Sequence, residues 1–187
     1  GHDLSDDLWS ARLLAEAPAE IRAVHESFFA AGAQIATSAS YQASFEGFAR
    51  RGIDRAEAER LMRRSVELAT SARDGASGPA WVAASVGPYG AVLAHGEEYI
   101  GRYGLRVAQL TAWHRPRLEV LLAAGPDILA LETIPDSDEA EALVGLVREL
   151  RTPAWLSYTI AGDRTRAGQP LEEAFAVAAD IPEIVAV

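Results

Sequence analysis

The side chains best suited to chemistry stand at the ends of short apolar segments. Glu132 directly follows the apolar run 128–131, while Thr37 and Tyr41 lie at and just beyond the end of a second buried-strand pattern. A carboxylate in such a place loses hydration unless a cation meets it. Glu132 therefore suits either the binding of a cationic group or a structural ion pair with an arginine, and its position alone favours neither.

The residue types that are absent exclude several reaction classes. The chain has no cysteine, which excludes a disulfide, a thiol nucleophile and a thiolate metal site within these residues. All 17 basic residues are arginine, so a Schiff-base mechanism and a Walker A phosphate loop, which both require lysine, are excluded as well. None of the histidines has the spacing of a metal site; they are His2, His25, His95 and His114.

The charge pattern is typical of a solvated enzyme surface. The net charge is −10, and the arginines are scattered along the chain. Nucleic-acid binding needs a concentrated basic face, so nucleic acid is not an expected partner. We recognise no signal peptide and no apolar run long enough to cross a bilayer, which makes the cytoplasm the expected location and a membrane no expected partner.

Helix and strand patterns alternate along the chain. Apolar periodicity and end signals predict helices over 18–31, 55–73, 105–124, 137–150 and 170–180. Short apolar runs predict strands over 33–38, 81–86, 127–132, 154–159 and 183–187. Asp54 and Glu57 resemble a capping box, Pro116 predicts a kink or a late start of its helix, and 87–104 is predicted to be a long loop.

This alternation predicts an α/β fold in a single domain over residues 1–187. A helix, a glycine stop and a buried strand recur around Gly32 and Gly125, and strands separated by helices must run parallel. Two architectures fit: a complete doubly wound sheet, and an incomplete (β/α)8 TIM barrel with strands missing at both ends. No GxGxxG turn follows any strand, which weakens the dinucleotide-binding form of the doubly wound sheet.

In both architectures the active site lies at the carboxyl ends of the strands. Each predicted strand is apolar until its last residues and then becomes polar. These ends carry Thr37, Ser38, Ser40 and Tyr41, then Ser85, Gly87, Pro88 and Tyr89, then Glu132, Thr133 and Pro135, and then Ser157, Tyr158 and Thr159. The aromatic residues also fit loop packing, and His114 beside Arg115 and Arg117 fits a helix-face cluster to which the pattern assigns no role.

Six segments occur in the same order as in the homocysteine S-methyltransferase family, which the chain resembles along essentially its whole length. They are DLWSA (7–11), AGAQ (31–34), TSASYQA (37–43), SVGPYG (85–90), HRPR (114–117) and LETIP (131–135). The likeness is greatest to bacterial members that use S-methylmethionine or S-adenosylmethionine. It implies a (β/α)8 barrel whose opening strand is absent here and whose sixth strand corresponds to 184–187.

The resemblance also implies the roles of individual residues. Glu132 matches the glutamate that holds the amino group of homocysteine. Trp9 and Tyr41 match aromatic positions at the methyl-donor pocket of betaine-using relatives, and Thr37 matches a substrate-side threonine. The family's zinc is held by three cysteines, which are expected beyond Val187. Zinc is thus the implied cofactor of the parent protein, and this chain alone is expected to be inactive.

The implied reaction is attack of the zinc-bound thiolate of homocysteine on the methyl group of a sulfonium donor, which gives methionine. Two other hypotheses remain open on the residues themselves. One is a non-catalytic α/β module that binds a small ligand at its strand ends. The other is a different barrel enzyme, such as a hydrolase that uses Glu132 as acid or base, although no convincing second acid or nucleophile faces it in the sequence.

Overall fold

The computed structural model describes residues 10–93 and 96–187. The helices are α1 (Ser10–Glu16), α2 (Pro18–Ala30), α3 (Phe45–Ala49), α4 (Arg55–Arg73), α5 (Tyr89–Leu93), α6 (Val107–Leu122), α7 (Ser137–Leu150) and α8 (Leu171–Ala176), with a 3₁₀ turn at Glu97–Tyr99. The strands are β1 (Ile35–Thr37), β2 (Trp81–Val86), β3 (Ile128–Ile134), β4 (Ala154–Tyr158), β5 (Ile160–Ala161), β6 (Arg164–Thr165) and β7 (Ile184–Ala186).

Five strands form a parallel sheet in the order β1-β2-β3-β4-β7, and β5 and β6 form a separate antiparallel hairpin. A doubly wound sheet requires a point at which the strand order reverses, and this sheet has none. The strictly sequential order therefore confirms the predicted incomplete (β/α)8 arrangement. No helix of the described ranges is long and apolar enough to cross a membrane.

The residues group into two compact units, whose division passes through β2 and β3. The first unit comprises the described residues up to Ser85 together with Arg117–Ile128. In it, β1 pairs in parallel with β2, with Ile35 opposite Trp81. The long helix α4 has a buried apolar face that includes Ala58, Leu61, Met62, Val66 and Ala69. Its N-terminus is closed by the Asp54 carboxylate, which accepts the Glu57 amide at 2.9 Å.

The second unit comprises the described parts of Val86–Pro116 and Leu129–Val187. In it, β4 pairs in parallel with β3 on one side and with β7 on the other. Helix α7 is amphipathic, and its buried face includes Ala140, Leu143, Val144 and Val147. These are the residues that helical spacing predicts to face inward.

The predicted bounds hold where periodicity and an end signal coincide: 55–73, 81–86 and 137–150 agree with α4, β2 and α7 residue for residue. Two predictions are wrong. The segment 87–104 contains α5 and the 3₁₀ turn, and the helix predicted over 170–180 ends at Ala176. Of the two alternatives at Pro116, the late start does not occur, because α6 begins at Val107 and continues through the proline, while the kink stays a prediction. Short helices leave too few turns for a period to show. The single-domain prediction stays a prediction.

The capping box at α4 is half formed. Asp54 caps the helix as predicted, but the Glu57 side chain pairs with Arg60 instead of reaching back to the Asp54 amide. On α2 the apolar stripe is also only partly buried. Ile21 is buried, whereas Val24 and Phe28 are 51% and 61% exposed. Apolar spacing on α2 therefore overstates how much of the helix packs inward.

Candidate functional site

The residues expected to bind substrate lie at strand ends. Thr37 is the last residue of β1 and is exposed, and Tyr41 lies half-buried in the turn that follows. Glu132 lies half-buried near the end of β3. The structure thus places Thr37 and Tyr41 on one loop of the first unit and Glu132 in the second unit. Trp9 lies outside the described residues.

A closed ring of hydrogen bonds among Ser38, Ser40 and Ser85, called the serine ring below, fixes the loop after β1 against β2. The Ser85 amide donates to Ser38 Oγ at 3.1 Å, and Ser40 Oγ donates to the Ser85 carbonyl at 2.7 Å. The two hydroxyl oxygens are 2.7 Å apart. Because the Ser40 proton is committed to Ser85, Ser38 must donate to Ser40. All three serines are at least 96% buried, so the ring pins the loop in a dry environment where hydrogen bonds are strong.

A buried arginine also holds this loop. Arg117 on α6 is only 1% exposed, and its Nη2 donates to the carbonyl oxygens of Ser40 and Tyr41 at 3.3 and 3.1 Å. A guanidinium stays charged at any ordinary pH, and its hydrogen bonds are stronger than those of a neutral donor. The loop that carries Tyr41 is therefore fixed by both the Arg117 guanidinium and the serine ring.

The backbone around Glu132 contains a β-bulge. Leu131 pairs with Leu156 and Ile134 with Tyr158, so two residues of β3, Glu132 and Thr133, oppose a single residue of β4. Leu131 and Ile134, on either side of the bulge, are fully buried, whereas Glu132 and Thr133 between them are half-buried. Bulges re-aim side chains and are common beside active sites. Here the bulge interrupts the strand alternation at the predicted acceptor-binding carboxylate.

Thr133 completes this irregularity with a left-handed backbone, φ +62°. A β-branched residue rarely adopts this region, because its Cβ crowds the following carbonyl at a cost of about 1–2 kcal/mol. The chain on the C-terminal side is anchored: the Thr159 amide donates to the Ile134 carbonyl and the Ala167 amide to the Pro135 carbonyl, both at 2.9 Å. Strain of this kind persists only where surrounding contacts hold it.

Asp136 is the main anchor of the loop after β3. Its Oδ2 accepts the Arg102 amide at 2.8 Å, and its Oδ1 accepts Gln169 Nε2 at 2.7 Å and the Asp138 amide at 3.1 Å. The last contact caps α7, while the first two come from the loops that follow β2 and β4. One buried carboxylate therefore ties three successive strand-to-helix loops of the second unit together.

Behind these loops lies a fully buried polar pair, His114 of α6 and Glu139 of α7. Their Nε2 and Oε1 atoms are 2.8 Å apart, and both side chains have no solvent exposure. The same Glu139 oxygen accepts the backbone amide of Tyr89 at 2.6 Å, which fixes the loop after β2. A carboxylate with two donors at this depth is a rigid junction between two helices and a loop.

Aromatic rings surround this junction. The Tyr89 ring lies 5.3 Å from that of Tyr103 and 5.0 Å from that of Trp113. Burial, followed by the nearby Glu139 carboxylate, raises the pKa of the Tyr103 phenol far above its usual value, so this hydroxyl acts only in its protonated form. Tyr158 behaves likewise, since burial raises its pKa and its hydroxyl donates to the Ala174 carbonyl at 2.7 Å.

The described residues do not form a metal centre. Within the ranges 10–93 and 96–187, no group of three His, Asp or Glu side chains is arranged to hold a metal ion, and the sequence has no cysteine. The donor atoms present in this part of the chain therefore do not fit a zinc site with three protein ligands.

Sequence reasoning gave no role to His114 and Arg117, and it did not single out Glu139. A signal was present, because Leu110, His114, Arg117 and Leu121 recur at helical spacing on α6 and all four are buried. Polar side chains on the apolar stripe of a helix need buried partners. The structure identifies these partners as Glu139 for His114 and the loop carbonyl oxygens for Arg117.

Comparison with known proteins gives a consistent result. A family model described as homocysteine S-methyltransferase matches residues 1–187. The homocysteine S-methyltransferase of Escherichia coli strain K12 is 47% identical over 194 residues, which cover 100% of this chain and 63% of that protein. The homocysteine S-methyltransferase YbgG of Bacillus subtilis is 48% identical over 173 residues, which cover 85% of this chain and 54% of that protein.

A solved structure agrees with these relatives. The metallated form of the homocysteine methyltransferase MmuM from E. coli matches with a TM-score of 0.94 and 47% identity over 99% of this chain and 67% of that one. The chain thus spans roughly two thirds or less of the length of the proteins compared. Because the family model covers every residue and the fold agrees, the chain belongs to the homocysteine S-methyltransferase family.

Proposed function

We propose that the protein containing this chain transfers a methyl group from a sulfonium donor, S-methylmethionine or S-adenosylmethionine, to the sulfur of homocysteine, giving methionine. The observation that carries the proposal is the match to the homocysteine S-methyltransferase family over the whole chain. Glu132 supports it, since a carboxylate stands near the end of β3, where the family resemblance expects the acceptor's amino group to bind.

Glu132 is proposed to bind the ammonium group of homocysteine. The bulge and the strained Thr133 set the backbone from which this carboxylate projects, and the contacts of Asp136 anchor the loop that follows. A carboxylate on such a rigid support can orient the acceptor, which lowers the entropic part of the barrier. The side chain acts by binding and does not itself transfer a proton.

The donor is proposed to bind near Tyr41, Thr37 and Trp9. A sulfonium carries a positive charge, and aromatic faces attract such cations through their negative π-surface. Tyr41 belongs to the loop that the serine ring and Arg117 fix, so an aromatic face there has a defined place. Thr37 offers an exposed hydroxyl at the end of the same strand.

The proposed reaction is a direct methyl transfer. The sulfur of homocysteine, after loss of its proton to solvent, attacks the methyl carbon of the donor. A new carbon–sulfur bond forms while the bond between that methyl group and the sulfonium breaks, and its electron pair leaves the donor as a neutral thioether. Charge and atoms balance without an oxidant. The role proposed for the aromatic face is to orient the sulfonium cation for attack.

Zinc is proposed as the cofactor of the complete enzyme, with ligands outside this chain, because the described residues do not fit it. The catalytic steps assigned above therefore involve only binding and orientation by this chain's residues. We also propose a cytoplasmic enzyme of methionine biosynthesis whose partners are its two small-molecule substrates.

The test is methyl transfer by the full-length protein that contains this chain. Purified protein is incubated with homocysteine and S-methylmethionine or S-adenosylmethionine, and methionine is measured by mass spectrometry with a donor labelled in its methyl group. Transfer of the labelled methyl group to homocysteine supports the proposal, and the preferred donor gives the higher kcat/KM. Binding of homocysteine without any transfer from either donor would favour a non-catalytic module instead.

A further inference from the structure

We propose that Arg117 is a positioning residue for the sulfonium donor: it holds the loop that carries Tyr41 in the place where that aromatic face meets the donor. The inference rests on the proposed function and adds to it a residue on α6 that does not stand at a strand end. It is carried by the two hydrogen bonds from Arg117 to the carbonyl oxygens of Ser40 and Tyr41.

The burial of Arg117 indicates that its hydrogen bonds to the loop, rather than its contribution to the surface charge, account for an arginine at this position. Among the described residues it is the largest of the almost fully buried side chains, at 1% exposure. Burying a guanidinium is costly unless hydrogen bonds compensate it. A leucine would fill the same helix face without that cost, as Leu118 and Leu121 do nearby. The feature that only an arginine supplies is a charged donor long enough to reach the two carbonyl groups.

The loop after β1 is held mainly by hydrogen bonds rather than by regular secondary structure. It joins a strand of three residues to a helix of five, so regular secondary structure fixes little of it. The serine ring fixes positions 38 and 40, and the Ala43 amide donates to the Ser40 carbonyl at 3.0 Å. Arg117 binds that same carbonyl and the next one along, and thus reaches the backbone of Tyr41, which the serine ring does not.

The chain offers a matched control two residues away. Arg115 lies on the same helix, but its side chain is 34% exposed and forms a two-pronged pair with the surface carboxylate of Glu149. Replacing either arginine by methionine removes one positive charge from α6 and keeps an unbranched, flexible side chain. Only the replacement of Arg117 removes donors from the loop of Tyr41.

The experiment compares Arg117→Met, Arg117→Lys and Arg115→Met in the full-length protein. Since displacement of a binding group by about 1 Å can cost ~100-fold, we expect Arg117→Met to raise the KM for S-methylmethionine by about 10- to 100-fold, with the KM for homocysteine within about twofold of wild type. Arg117→Lys should recover part of the loss, because an ammonium can still donate to one carbonyl. Arg115→Met should leave both constants unchanged.

Hydrogen exchange measures the loop itself and needs no activity. The amide of Ala43 should exchange faster in Arg117→Met than in wild type or Arg115→Met; if the methionine variant does not fold, Arg117→Lys is used and should show a smaller increase in the same direction. Unchanged exchange at this loop would overturn the inference. So would an equal rise of both KM values, or a lower melting temperature with an unchanged donor KM. A wild-type protein without methyl transfer refutes the proposed function, while the exchange rates still test whether Arg117 holds the loop.

Discussion

Removal of the Glu139 carboxylate is expected to destabilise the second unit strongly. Its Oε1 accepts the Tyr89 amide at 2.6 Å and lies 2.8 Å from His114 Nε2, with both side chains of the pair fully buried. Glu139→Ala leaves the amide and the imidazole nitrogen without this acceptor in a dry environment. Each orphaned buried group costs about 1–3 kcal/mol, so the two groups together cost roughly 2–6 kcal/mol.

The expected loss can be read in a melting experiment. For a chain of this size, 1 kcal/mol corresponds to about 2–4 °C in melting temperature, so Glu139→Ala should melt roughly 4–24 °C lower. Glu139→Gln should lose less, because its amide oxygen can still accept the Tyr89 N–H. Urea unfolding followed by circular dichroism gives the free energy directly.

Glu149→Ala is the control for this prediction. Glu149 also pairs with a side chain of α6, Arg115, but it is 59% exposed. An exposed ion pair contributes about 0–1 kcal/mol and is weakened by salt. The loss in Glu149→Ala should therefore be small and disappear in about 1 M salt, whereas that in Glu139→Ala should persist. A free-energy loss below about 1 kcal/mol for Glu139→Ala would refute the reasoning about this buried pair.

Three further predictions concern substrate, metal and pH. Glu132→Gln in the full-length enzyme should weaken homocysteine binding by roughly 10- to 100-fold at an unchanged melting temperature, since a hydrogen bond to a charged group is lost; unchanged homocysteine kinetics with a lower melting temperature would contradict the assignment. The 187-residue chain should retain almost no zinc after dialysis, while the full-length protein retains about one ion; near-stoichiometric zinc in the short chain would be the contrary result. Burial lowers the pKa of His25, because the charged imidazole loses its hydration. At a pH between the two pKa values, the unfolded chain binds a proton at His25 that the folded chain does not. The stabilisation from neutral His25 is therefore fully present above about pH 6.5 and falls as the pH drops below it. The free energy of unfolding should change less between pH 7.5 and 5.5 in His25→Gln than in wild type.

The elements that the sequence predicts best are those in which a local signal repeats. Helix α4 combines an N-terminal cap at Asp54 with five turns of periodic apolar residues, and both its ends are as predicted. Helix α5 has five residues, and the strands of the β5–β6 hairpin have two each. In elements this short, an apolar pattern does not repeat often enough to be recognised. The predicted strand at 33–38 shrinks to Ile35–Thr37, although the Ser38 amide still donates to the Ala83 carbonyl at 2.9 Å and the Gln34 carbonyl accepts the Trp81 amide at 2.8 Å.

The site is less predictable than the fold, because its contacts join residues that are distant in sequence. Arg117 and Tyr41 are separated by 76 positions, and Glu139 and Tyr89 by 50. The sequence pattern assigned no role to Arg117, although its helical spacing from Leu110 and Leu121 is consistent with the buried face of α6. The carbonyl groups that it binds carry no side-chain signal, since every residue has one. A sequence can thus indicate that a buried arginine needs acceptors without indicating which loop supplies them.

The bulge at Glu132 is even less predictable from the sequence than these contacts, since no local pattern indicates it. Leu131 and Ile134 are three positions apart, yet they pair with Leu156 and Tyr158 of β4, which are two apart. The bulge therefore contains one inserted residue, and the left-handed backbone of Thr133 accommodates it at a cost of about 1–2 kcal/mol. A glycine at 133 would adopt this conformation without the strain, but it would also free the backbone to leave it. Because Thr133 is restricted and the next two carbonyls are hydrogen-bonded, the direction of the peptide that carries Glu132 is set before any ligand binds.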